Sequence, residues 1–135
     1  MAPAAAQTIS DFLNDTATTP DDYDMILTGD LGRVGSQLLN ELCQKDYGVD
    51  ISSVHNDCGL LIYDMNNQDI HAGGSGCGCS ASVLNTHIMN ALASGRLTKV
   101  LFVATGALLS TTSTLQGETI PSIAHAVLLT GGERE

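Results

Sequence analysis

The chain has 135 residues, 43% of them hydrophobic, and carries a formal net charge of −10 from 15 acidic and 5 basic side chains. That hydrophobic content excludes a disordered chain, and a domain of this length buries roughly two-thirds of its unfolded surface. The negative field repels phosphate backbones and anionic lipid surfaces, so nucleic acid is excluded as a partner; solubility, a basic protein partner or a divalent cation remain as uses for the charge.

Met1 to Ala6 enter a helical pattern at once, so the chain is expected to begin inside a fold, with no leader and no first strand of its own. Ile9, Phe12 and Leu13 continue that pattern, and the Pro and Asp residues of 14–22 end it. Residues 24–28 form a short apolar run closed by Gly29, a buried strand whose end delivers Thr28, Gly29 and Asp30 into a loop. A second helix follows over 34–45, with Val34, Leu38, Leu39 and Leu42 on one face. Residues 47–71 are expected to be irregular or a short strand around the apolar patch at 58–63.

The small-residue loop at 73–80 opens a third helix that Ser94 and Gly95 stop. Residues 99–105 and 123–130 are apolar without alternation, as expected of strands covered on both faces, and a Ser/Thr-rich connection joins them. A charged tail occupies 131–135. The expected architecture is layered α/β, a central mixed sheet with helices, in one domain over 1–135.

The four cysteines are Cys43, Cys58, Cys77 and Cys79, and no apolar run approaches the ~20 residues that span a bilayer. A reducing, cytoplasmic compartment is expected, where thiols are ligands, nucleophiles or small buried side chains. Cys77 and Cys79, with His71, Cys58, Asp57 and His55, lack the matched pairs of a structural zinc site, so no metal centre is assigned and buried cysteines are the expectation. No Gly-x-Ser-x-Gly elbow, Walker loop or dinucleotide fingerprint is present. No cofactor is implied.

Successive glycines at 73–78 can converge backbone N–H groups on an anion at the start of a helix, or can simply permit helix and strand to pack closely. Asp30 is either a solvent-facing loop residue or a pocket residue able to hold a cation. His87 and His125 fall among apolar residues and are expected in the core, His125 being the better candidate for a site.

Three segments carry a resemblance: 22–31 (Asp-Tyr-Asp-Met-Ile-Leu-Thr-Gly-Asp-Leu); 57–63 together with the Gly-rich 72–81; and 103–110 (Val-Ala-Thr-Gly-Ala-Leu-Leu-Ser) with 120–125 (Ile-Pro-Ser-Ile-Ala-His). Over essentially its whole length the chain resembles the second half of the stage V sporulation protein AD family, thiolase-fold proteins of spore formers. The resemblance implies half of a duplicated thiolase-like fold, with a reactive cysteine on the other half. Condensing enzymes of the ketosynthase type, similar in layout, place a catalytic His after the strand ending at 27–30 and a catalytic Asn in the loop at 74–76. Neither residue stands there. Losing one such oxyanion donor typically lowers the rate by ~10²-fold or more.

What the resemblance implies is a non-catalytic subunit that binds dipicolinic acid, with or without calcium, during its import into the spore. The ligand residues implied are Asp30, Gly74, Ser75, Gly76, Cys77, Thr105, Gly106 and His125. The partners implied are an N-terminal thiolase-like half or a second copy, and other stage V proteins at the forespore membrane. Half of an acyltransferase or condensing enzyme whose nucleophile lies on the other half is the alternative, and a purely structural role is a third.

Overall fold

The computed structural model describes residues 1–132, so the expected charged tail lies, from position 133 on, outside the described residues. Strands β1 (Met25–Thr28), β2 (His55–Asp57), β3 (Lys99–Ala107) and β4 (Ser122–Thr130) form one sheet in the order β2-β1-β3-β4. β1 runs parallel to β2 and β3, and β4 returns antiparallel to β3. The mixed α/β architecture is the one expected, and is consistent with half of a thiolase-like fold.

Helix α1 (Ala2–Thr16) precedes β1; parallel neighbours need crossover connections, which carry α2 (Gly32–Tyr47) between β1 and β2 and α3 (Cys58–Leu61), α4 (Cys77–Val83) and α5 (Met89–Ala93) between β2 and β3, while α6 (Thr111–Leu115) lies between β3 and β4. On one face of the sheet, Ala5, Ala6, Ile9 and Leu13 of α1 and Leu39 and Cys43 of α2 pack with Ile26, Leu101 and Val103. On the other, Cys79, Val83, Ile88 and Leu92 pack with Leu27, Cys58 and Val100. A π-helical turn (Leu84–Ile88) joins α4 to α5. It falls where the Asn85 and Thr86 side chains donate to the carbonyls of Ala81 and Ser82 at 2.8 and 2.7 Å, competing with the backbone ladder.

Several expectations are corrected. The patch at 58–63 begins as a helical turn, not a strand, because the Asp57 carboxylate caps it by accepting the Gly59 N–H. The strand lies just before it, in the polar triplet His55–Asp57. α2 buries Gly32, Ser36, Leu39 and Cys43, while Val34 and Leu38 face solvent. His87 is exposed, not in the core.

The largest correction concerns β4. Its register pairs Ile123 with Gly106, His125 with Ala104 and Val127 with Phe102, so these side chains share the sheet face that carries α4 and α5. The two helices stop short of it: Ile123 and Val127 are 53% and 52% exposed, and His125 is exposed between them. β4 is an edge strand covered mainly through Ala124 and Ala126 on the α1 side.

Candidate functional site

The carboxyl ends of parallel strands open toward a crevice, and here β1 ends beside Val103 of β3, which runs on to Ala107. Gly29 lets them close up: a Cβ there would stand 2.8 Å from Thr105 Oγ1 and 3.0 Å from its backbone nitrogen. Any larger residue, a histidine included, would push β3 away. The next residue, Asp30, is bound to Thr105 twice, donating its N–H to Thr105 Oγ1 at 3.1 Å and accepting the Thr105 hydroxyl on Oδ1 at 3.0 Å.

The second wall is the Gly-rich loop. The Gly76 N–H donates to Asp30 Oδ2 at 2.7 Å, the Gly74 N–H to the Gly59 carbonyl at 2.7 Å and the Gly73 N–H to the Ile70 carbonyl at 2.9 Å. The expected convergence of the loop's N–H groups on one anion is not formed: Gly73 and Gly74 bond backbone carbonyls, and Gly76 bonds the chain's own Asp30. The crossing of 59 with 73–74 is equally tight, since a Cβ on Gly59 or Gly73 would stand 2.5 Å from the other strand's carbonyl oxygen.

Between these walls lies a cavity of about 340 Å³, near the lower end of the ~300–1,000 Å³ usual for small-molecule sites. Asp30, Ser75, Gly76, Cys77, Thr105 and Gly106, all expected at the site, line it. Ser80, Ala107 and Leu109 join them unpredicted, as does Met1. Gly74 lies outside the lining, packed against Ile62 and Cys79, and His125 stands away from it on β4. No lysine or arginine among the described residues lines the cavity. It offers a carboxylate, hydroxyls and a thiol.

The thiols divide by burial. Burial, with Asp57 beside it, pushes Cys58 up to about 12, burial alone takes Cys43 up to about 11, and Cys79 is raised by burial and by Asp57 and Asp30. Cys77 is the exposed one. Among the described residues no three His, Cys, Asp or Glu side chains converge as a metal site.

Sequence reasoning missed the organising residue, Asp57. It is fully buried and accepts four hydrogen bonds: Oδ1 from the Gly32 and Gly59 N–H groups at 2.9 Å each, and Oδ2 from the Leu31 N–H at 2.9 Å and the Thr28 hydroxyl at 2.6 Å. With the single Thr28 proton committed to a carboxylate, His55 Nε2, 3.0 Å from Thr28 Oγ1, is the donor of that pair. Burial lowers His55 to about 4 against the opposing pull of Asp57, so the ring is neutral.

A sequence profile of the stage V sporulation protein AD family matches residues 1–130. Stage V sporulation protein AD of Bacillus subtilis (strain 168) is 53% identical over 128 residues, 95% of this chain and 37% of that protein. The chain belongs to the stage V sporulation protein AD family, and spans little more than a third of the length of that relative. Among the described residues no helix is long and apolar enough to cross a membrane.

Proposed function

We propose that this chain supplies one wall of a non-catalytic site that binds dipicolinic acid as its calcium chelate during import into the developing spore. The observation that carries this reading is the cavity beyond the end of β1 and along the end of β3, where Asp30 faces hydroxyls and a thiol with no cationic side chain among the described residues of the lining. A free dicarboxylate entering there meets like charge, whereas a calcium chelate presents a hard cation to an oxygen-rich wall. The non-catalytic reading is favoured because Gly29 has no room for a histidine and no asparagine among the described residues lines the cavity.

The uncovered face of β4, with Ile123 and Val127, fits docking of the remaining part of a longer family member, or of a second copy, which would complete the pocket. In this reading the protein works from the cytoplasm, peripherally at the forespore membrane, beside other stage V proteins. The test is calorimetric titration of dipicolinic acid, with and without calcium, into the chain alone and into the chain mixed with the rest of such a protein. Calcium-dependent heat, strongest in the mixture, is the expected result. Silence in both would sink the ligand assignment. Covalent acylation of a cysteine on incubating the mixture with an acyl-CoA would instead favour the condensing-enzyme reading.

A further inference from the structure

The hydrogen bonds around Asp57 close into a ring that the binding reading does not itself require. From Asp57 one arm runs through the Leu31 and Gly32 N–H groups to the turn that carries Asp30. The other runs through the Gly59 N–H, and the Gly59 carbonyl accepts from Gly74 at 2.7 Å, at the base of the Gly-rich loop. A second tie, Arg33 N–H to the Ala72 carbonyl at 2.8 Å, runs parallel to it. Gly76 N–H to Asp30 Oδ2 completes the ring at the cavity.

We infer that Asp57 is the positioning residue of this site: a buried carboxylate that touches no ligand but fixes the Asp30 turn and the Gly-rich loop relative to each other, so that Asp30 and Gly76 meet at the cavity wall. A carboxylate has about four lone-pair sites, and all four here are taken by donors from three separate segments, β1, the 31–32 turn and the start of α3. A neutral amide presents one acceptor oxygen and could not hold all of them. Thr28 and His55 extend the device backward into β1 and β2, the His55 Nε2–H filling the Thr28 oxygen so that its proton stays on Asp57.

The inference rests on the binding reading only for its consequence for affinity; its structural core is tested independently. In the full chain, Asp57→Asn and the near-isosteric Thr28→Val are compared with Ile9→Val, a core change on the α1 side of the sheet. Amide hydrogen exchange is followed at Gly32, Gly59 and Gly76, and affinity for calcium dipicolinate is measured in parallel. Should Asp57→Asn fail to fold, Thr28→Val carries the test. Expected is exchange at least ~10-fold faster at Gly76 as well as at Gly32 and Gly59 in Thr28→Val, with affinity weakened by a similar factor, and neither effect in Ile9→Val. Faster exchange confined to Gly32 and Gly59, with Gly76 unchanged, would overturn the positioning role. Absence of binding by the wild-type chain and its mixture would sink the ligand reading alone, and the Gly76 amide would still decide the inference.

Discussion

Two aspartates stand at the ends of neighbouring parallel strands, and their environments divide the labour of the molecule. Asp57, the last residue of β2, is fully buried and accepts four donors. Asp30, after β1, is half-buried, accepts the Thr105 hydroxyl and the Gly76 N–H among the described residues, and lines the cavity. A carboxylate with every lone pair engaged holds structure together; one with acceptor capacity facing a cavity can bind. In the proposed reading the same residue type becomes scaffold or site according to how many donors the backbone turns toward it.

The comparison breaks most visibly at Asp57. Asp57→Ala strands the buried N–H groups of Gly32 and Gly59 and the Thr28 hydroxyl, each costing about 1–3 kcal/mol when left unpaired, together with the part-buried Leu31 N–H. The expected result is loss of cooperative folding in urea titration, whereas Asp30→Ala should still give a cooperative transition.

His55 gives the next largest effect. Its folded value near 4 lies below the ordinary 6.5, so the folded state binds fewer protons than the unfolded chain. The associated stability is complete above pH 6.5 and is lost as pH falls toward 4, by at most about 3 kcal/mol. Urea midpoints at pH 7 and 4.5 measure the decline, and His55→Gln should flatten that part of the profile.

Smaller effects sharpen the contrast at the surface. Alkylation followed by mass spectrometry should mark Cys77 first, with Cys43, Cys58 and Cys79 protected until the chain unfolds, since burial keeps them as neutral thiols. Val127→Lys on the open face of β4 should change the chain's own stability by less than about 0.5 kcal/mol, yet abolish association in sedimentation velocity. A large fall in stability with association intact would show that β4 is not a docking face.

Much of the cavity wall was legible because strand ends and a Gly-rich turn have clear punctuation: Thr28-Gly29-Asp30 closes an apolar run, and 73–78 opens a helix. Thr105 and Gly106 followed from the end of β3 and from family resemblance. Asp57 was not legible, because a buried acceptor is recognised by the donors that converge on it from distant segments. The one local clue was an Asp two residues ahead of a glycine at the start of a helical turn, the pattern of an N-cap. β4 misled for a different reason. A run such as Ile-Ala-His-Ala-Val-Leu-Leu reads as covered on both faces whether its cover comes from the same chain or from another.

The most direct test of the division between the two aspartates is a calorimetric titration of calcium dipicolinate into the wild-type and Asp30→Asn chains, each mixed with the remaining part of a family member. Asp30→Asn should keep its far-UV spectrum and lose at least ~10-fold in affinity, with the calcium dependence gone. Unchanged, calcium-dependent affinity in Asp30→Asn would contradict the account, because the open carboxylate would then have no part in binding.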